Sequence, residues 1–338
     1  MVQTNSELNH IDAMLPGPVV IITGPTASGK SACAFELALQ CNGEIVCADS
    51  MQIYSLMDIG TAKPSVTEMM QIPHHLFSII DPDESFSVAE YIARVDPIIT
   101  DILLRGKLPV ICGGTGQYIS ALLNGISFPD IPFDQKVREE LECRAYTEGL
   151  DSLYDQLKLL DPAAFASIHP NDRKRIIRAL EVNILSGKNK MEIERISVNG
   201  GPRFDFISFC INRERPVLYD RINNRVDKML SSGLLDEVRN LMVKYPAFSK
   251  SASQAIGYKE AVDFFTGKYT LDEAVSKIKQ ATRNYAKRQI TWFKKLPSLH
   301  WLNDISAQDA AEIISGKLTG SEEKQGICKQ RSELSSQN

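Results

Sequence analysis

The chain has 338 residues, 43% of them hydrophobic and 24% charged. That is enough apolar material for one large domain with an insertion or for two domains, and the composition excludes a disordered or fibrous protein. Lysine and arginine number 38 against 42 acids, a formal charge of −4, so a uniformly basic nucleic-acid binder is excluded and any polyanion site must be a local patch.

Val19–Thr23 (VVIIT) is a β-branched run ending in a Gly-rich turn, the mark of a buried parallel strand. A helix with Cys33, Phe35, Leu37 and Ala38 follows to about Cys41, then a second strand over Glu44–Ala48 that runs into Asp49. His74 and His75 lead into a third strand expected over Leu76–Ile80; a metal site there would need further ligands, and none is found. A helix is expected from Ser87 to Arg105, and a strand over Leu108–Cys112 that ends in Gly113-Gly114-Thr115-Gly116. Strands alternating with helices imply a parallel sheet covered on both faces.

Pro129 and Pro132 bracket a break, after which 137–186 reads as helix, interrupted at Asp161-Pro162 and at His169 to Asp172. A strand over Phe204–Ile211 returns the chain to the sheet, and the helix after Pro216 carries a stripe of Leu218, Ile222, Val226, Met229 and Leu230. A last long helix is expected over Leu271–Phe293, and residues from 318 onward, poor in large apolar groups, read as a disordered tail. No apolar run reaches the roughly 18 residues of a membrane span, and the N-terminus lacks the order of a signal peptide. A cytoplasmic protein is expected. The seven cysteines form no CxxC pair and read as reduced, mostly buried thiols.

Gly24-Pro25-Thr26-Ala27-Ser28-Gly29-Lys30-Ser31 fits GxxxxGK[ST], the motif of nucleotide-binding phosphate loops, between a predicted strand and a predicted helix. Converging backbone N–H groups and the helix N-terminus suit a diphosphate, with Lys30 neutralising it and Ser31 as the hydroxyl for Mg²⁺. The motif does not say which diphosphate. Asp49 and Asp81, each following an apolar run, are the candidate carboxylates; Asp49 could cap the next segment, bind Mg²⁺ through water or act as a general base.

Between Lys277 and Lys295 lie seven basic residues and no acid, with Arg283 and Lys287 on one helical face, and Arg173, Lys174, Arg175 and Arg178 form a second cluster. Both suit a polyanion groove or an ordinary solvated surface. Arg221 and Arg225, four residues apart, can face one ligand or pair with Asp220 or Asp227.

Taken together, GPTASGKS (24–31), ADSMQIY (48–54), DIGTAKP (58–64), PHHL (73–76), GGTGQY (113–118), HPNDRKRIIRALEV (169–182), QAIGYKE (254–260) and AKRQITWF (286–293) closely resemble the tRNA dimethylallyltransferases, the isopentenyl transferases of tRNA. The resemblance implies an α/β fold, a P-loop NTPase-like parallel sheet flanked by helices with a mainly helical insertion domain. The catalytic core would comprise 17–128 and 203–303, the tRNA-contacting insertion 129–202, an N-terminal extension 1–16 and the tail 318–338.

The implied activity is transfer of a dimethylallyl group from dimethylallyl diphosphate to N6 of the adenosine 3′-adjacent to the anticodon, with diphosphate leaving and Mg²⁺ as cofactor. By resemblance Asp49 matches the base, Thr26 the loop threonine that assists at the bridge oxygen, and Arg225 the arginine that contacts the diphosphate. Contacts to the tRNA anticodon stem-loop are implied for Asp49, Ser50, Met51, Gln52, Thr115, Arg138, Lys174, Arg175, Ile176, Ile177, Arg178, Ser253, Gln254, Ala255, Ile256, Gly257 and Tyr258. No zinc-finger pattern follows, which points to the bacterial type, and a monomer is expected. The rivals are an adenylate isopentenyltransferase acting on free nucleotide and a P-loop nucleotide kinase.

Overall fold

The computed structural model describes residues 17–127, 134–197 and 201–320. Six parallel strands form one sheet in the order β3-β2-β4-β1-β5-β6: β1 (Val19–Thr23), β2 (Gly43–Cys47), β3 (His74–His75), β4 (Leu108–Gly113), β5 (Phe206–Asn212) and β6 (Leu299–Asn303). β1 lies at the centre, paired with β4 and β5. All five of its residues are buried, which is why its sequence is a continuous apolar run and not an alternating one.

The period-2 geometry of the strands sorts their side chains onto two faces. On one, Val19, Ile21, Val46, Ile111 and Cys210 pack with α3 (Val88–Leu104) and α4 (Gly116–Leu123). On the other, Val20, Ile22, Ile45, Val110, Phe209 and Ile211 pack against α1 (Lys30–Gln40). The short α2 (Val66–Gln71) is closed by a capping box between Ser65 and Glu68.

The described residues fall into two compact units, one built from the chain up to Leu123 together with Arg203 onward, the other from Asn124–Pro202. The second unit has its own core, with Leu141, Leu153, Leu157, Ile176, Ile177 and Leu180 buried among α5 (Gln135–Thr147), α6 (Leu150–Leu160), α7 (Pro162–Ser167) and α8 (Arg173–Ser186); α9 (Lys190–Ser197) follows. Its breaks have local causes: Asp161 caps α7 and Pro162 opens it, and Asp172 caps α8. In the first unit α10 (Arg215–Ser231), α11 (Leu234–Lys244), α12 (Tyr258–Phe265) and α13 (Leu271–Phe293) enclose a further core with Ile53, Tyr54 and Met57.

Three expectations need correction. The strand expected over Leu76–Ile80 does not form: pairing with β2 stops at His75, because Leu76 and Ser78 take left-handed backbone angles, φ 63° and 52°. β6 is a strand that the sequence reading lacked. The tail expected from 318 begins as helix, since residues 307–320 are helical and Leu318 is buried with Ala310, Ala311 and Ile314 against the α1 face of the sheet; the rest of that tail and the expected extension 1–16 lie outside the described residues. No described helix is long and apolar enough to cross a membrane.

Candidate active site

Residues 24–29 connect β1 to α1 at the C-terminal edge of the sheet, where parallel α/β sheets hold ligands. Gly24 has φ 145°, and a Cβ there would lie 2.2 Å from the Ile211 carbonyl oxygen, so the turn tolerates glycine alone. The loop is braced from behind: Arg213 Nε donates to the Ser28 carbonyl (3.1 Å) and Arg221 Nε to the Ala27 carbonyl (2.8 Å). Lys30 Nζ donates to the Pro25 carbonyl at 3.3 Å. The Ser28 hydroxyl is buried within the loop and has no hydrogen-bond partner among the described residues. Burial pushes the Lys30 ammonium below its ordinary range, with Cys112 and Asp49 opposing the shift.

Asp49 follows β2 at the same edge. Its Oδ1 accepts from the Met51 N–H (2.9 Å), which turns the chain. The next residue is tied to the loop after β4, with Ser50 N donating to Thr115 Oγ1 (2.9 Å) and Thr115 N donating to the Ala48 carbonyl (3.1 Å). Gln52 Nε2 donates to the Thr61 and Ala62 carbonyls, both at 3.0 Å, and Arg225 Nη2 reaches the Thr61 carbonyl at 3.4 Å.

Two cavities meet at the phosphate loop, and Lys30 and Ser31 line both. One, of about 450 Å³, is bounded by Gly29, Arg221, Asn224, Arg225 and Lys228, with no acid in its wall. The other, about 110 Å³, holds Asp49, Gln52 and Lys63 beside Phe35, Phe77 and Cys112. An acid-free chamber lined by Lys30, Arg221, Arg225 and Lys228 therefore adjoins a smaller, mixed polar and apolar chamber whose wall carries two carboxylates, Asp49 after β2 and Glu68 on α2. Burial lowers the Arg225 guanidinium and Asp49 opposes this, which places those two charges within each other's field.

The open alternatives resolve on this geometry. Asp81 is exposed and held by Ser55 and, at its own N–H, by Glu84, and it lines neither cavity, so of these two candidates only Asp49 shares a cavity with the phosphate loop. Asp227 pairs with Lys279 at 2.6 Å, while Arg221 and Arg225 bond to loop carbonyls. Arg283 is turned toward Asn223 at 2.8 Å and so is engaged with α10, leaving Lys287 exposed. His75 bonds to Glu44 and His74 to the Ile72 carbonyl, both at 2.7 Å, and among the described residues no three His, Cys, Asp or Glu side chains gather to hold a metal.

The residues that the resemblance assigns to tRNA divide by exposure. Lys174, Arg175, Arg178 and Gln254 are exposed, and Ser50, Met51, Gln52, Thr115, Arg138, Ser253 and Ile256 partly so. Ile176, Ile177, Ala255 and Tyr258 are buried, so their side chains shape the core and offer RNA no surface; Gly257 is buried with them. Two residues passed over in the sequence reading matter more. Glu237 accepts from the N–H groups of Asp58 (2.9 Å), Ile59 (2.7 Å) and Gly60 (3.1 Å) and from the Tyr258 hydroxyl (2.5 Å), which fixes the DIGTAKP loop. Gln289 accepts from the Thr26 N–H. A polar residue on the buried stripe of a helix, between Ala286 and Phe293, was the available signal for Gln289; Glu237, one acid beside Asp236 in the first turn of α11, gave none.

The family model described as IPP transferase matches residues 52–296 and that described as Isopentenyl transferase matches 17–76. The chain is 49% identical over 310 residues to a tRNA dimethylallyltransferase of Caldanaerobacter subterraneus subsp. tengcongensis, covering 89% of this chain and 98% of that protein. It is 48% identical over 285 residues to one of Thermoanaerobacter sp. (strain X514), covering 84% and 90%. Among solved structures, the full-length tRNA isopentenylpyrophosphate transferase of Bacillus halodurans superposes with TM-score 0.66 at 40% identity over 92% of this chain and all of that one. A eukaryotic dimethylallyltransferase acting on tRNA gives TM-score 0.78 at 30% identity, over 90% of this chain and 80% of that one. With the two family models together spanning 17–296 and relatives at 48 to 49% identity over 84 to 89% of its length, the chain belongs to the IPP transferase family of tRNA dimethylallyltransferases.

Proposed function

We propose that the protein transfers a dimethylallyl group from dimethylallyl diphosphate to N6 of the adenosine 3′-adjacent to the anticodon of tRNA, releasing diphosphate. The observation that supports this reading is that Lys30 and Ser31 of the phosphate loop line both an acid-free chamber and a smaller, partly apolar one whose wall carries Asp49. Phe35, Phe77 and Cys112 share that smaller chamber with Asp49, Gln52, Lys63, Glu68 and His74, so it offers a short hydrocarbon an apolar surface beside the carboxylate, which a phosphoryl acceptor in a nucleotide kinase would not need.

In the reaction the N6 amine attacks the allylic carbon, the bond from that carbon to the bridge oxygen breaks, Asp49 accepts the amine proton and diphosphate departs. Lys30, Arg225 and the backbone of residues 24–31 offset the charge that develops on the leaving group, and the Thr26 side chain assists at the bridge oxygen. An aromatic amine is a weak nucleophile, so positioning contributes more than basicity. The adenine must be extruded from the anticodon stack, which costs a few kcal/mol. The Ser31 hydroxyl, with Asp49 across the same cavity, is an oxygen donor set that fits Mg²⁺ bound largely by phosphate and water; when bound, the ion would neutralise diphosphate charge.

The test is purified protein with labelled dimethylallyl diphosphate, offered tRNA or AMP. Label in tRNA is expected; label in AMP alone sinks the reading in favour of an adenylate isopentenyltransferase. Asp49→Ala should lose transfer by about 100-fold or more while retaining tRNA affinity, and near-normal turnover would remove Asp49 as the base.

A further inference from the structure

Gln289 is 4% exposed on α13, where helical spacing with Ala286 and Phe293 calls for an apolar side chain. Both ends of its carboxamide are engaged. Oε1 accepts from the Thr26 N–H at 2.8 Å and Nε2 donates to the Gly114 carbonyl at 2.9 Å. A Cβ at position 114 would lie 2.3 Å from that Nε2, so glycine there is what admits the amide. The two loops joined in this way serve opposite halves of the site. Thr26 belongs to the phosphate loop, and Gly114 precedes Thr115, whose hydroxyl accepts from the Ser50 N–H beside Asp49. One turn back on α13, Tyr285 lies beside Thr115 and Gln289.

A buried amide bridging one donor and one acceptor cannot be replaced in kind: glutamate keeps the bond from the Thr26 N–H but faces the Gly114 carbonyl with an anion, and methionine of similar length keeps neither bond. Gln289 makes no contact with the side chains of Asp49, Lys30 or Arg225 among its hydrogen bonds.

We propose that Gln289 is a positioning residue that holds the leaving-group loop and the acceptor loop in register, so that the allylic carbon ionises only with the amine in reach. The proposal rests on the transfer reaction given above. In the intact site the carbon–oxygen bond to diphosphate breaks as the bond to N6 forms. With the register loosened, water takes the place of the amine: the same bond breaks, a water oxygen bonds to the carbon, its proton goes to solvent, and dimethylallyl alcohol and diphosphate leave. Exclusion of this side reaction is a property of a closed, aligned site.

The experiment compares the full-length protein with Gln289→Met and Gln289→Glu in single turnovers at saturating dimethylallyl diphosphate and tRNA, counting diphosphate released and prenyl transferred. Both variants should transfer about tenfold to 100-fold more slowly, with diphosphate released in excess of prenyl-tRNA and with tRNA affinity within about twofold of the parent. A smaller fall in rate, or one diphosphate for each prenyl group, overturns the proposal, since a purely structural glutamine would lower the folded fraction and leave that ratio unchanged. If neither variant folds, Gly114→Ala displaces the same amide from its other partner and must show the same excess of diphosphate. Failure of the parent protein to prenylate tRNA would overturn the transfer reading itself, a result distinct from equal behaviour of parent and variants.

Discussion

Lys30 sits in the phosphate loop as an ammonium disfavoured by burial, and its only protein hydrogen-bond acceptor among the described residues is a carbonyl. An anion in the adjoining chamber must raise its pKa again, so binding should draw a proton in near the lowered value. Calorimetry with inorganic diphosphate, in buffers of different ionisation enthalpy, should show net proton uptake that grows as pH rises toward that value; affinity should fall above it. Uptake that persists unchanged in Lys30→Met would exclude this assignment. Glu44 is the opposite case. It is buried at the start of β2 and accepts hydrogen bonds from Arg105, from Lys107 at 2.8 Å and from His75 at 2.7 Å, and these hold its carboxyl far below the usual range. A depressed folded pKa gives stability that is complete above the unfolded value near 4.5 and is lost as pH falls below it. Glu44→Gln should therefore cost about 1 to 3 kcal/mol in urea denaturation at pH 7, the partial exposure of Arg105 and Lys107 keeping the loss below that of a fully buried pair. The gap between parent and variant should close with acidification, and a gap that widens would contradict the sign.

At the level of elements, the helix over 307–320 places Ala310, Ile314 and Leu318 at four-residue spacing against the sheet beside Val20, Ile22 and Phe209. Truncation after residue 306 removes the two large side chains from that face and should destabilise the protein by about 3 to 6 kcal/mol, read as a lower thermal midpoint and as dye binding to exposed apolar surface. A truncated chain of unchanged midpoint would assign the helix to the surface. This helix was hard to read because half of its buried stripe is alanine, which carries little hydrophobic signal. The strand, phosphate loop and helix over 19–40 were legible because a continuous β-branched run and GxxxxGK[ST] each have one physical interpretation in that order. The misread strand at Leu76–Ile80 fails on two left-handed residues that no glycine or asparagine announces. Asp49 was placed by sheet topology alone. Gln289 and Glu237 were not, because each acts through backbone groups more than 100 residues away, and a sequence shows no record of which amide a side chain will meet.

On the scale of the whole molecule, the basic clusters must be weighed within the unit that carries each. In the second unit Glu181 is fully buried and paired with Arg138 at 2.5 Å and Arg178 at 3.1 Å, so Arg178 supports the core as well as the surface. Arg178→Gln should lower stability, whereas Arg175→Gln and Lys287→Gln, at exposed positions, should not. Those two changes together should instead flatten the dependence of tRNA binding on salt, by about 0.7 to 0.9 in the log–log slope for each phosphate no longer neutralised. An unchanged slope would return both residues to ordinary solvated surface. The position of β1 has a separate effect during synthesis. Its partners lie at 108–113 on one side and 206–212 on the other, and the glutamine that closes its loop lies 263 residues beyond Thr26. At bacterial and eukaryotic elongation rates that interval is on the order of 10 to 50 seconds. Throughout it a nascent chain carries a phosphate loop without its lock, and the central strand keeps one bare edge until residue 206 leaves the ribosome, which makes these first two hundred residues the stretch most dependent on chaperone shelter.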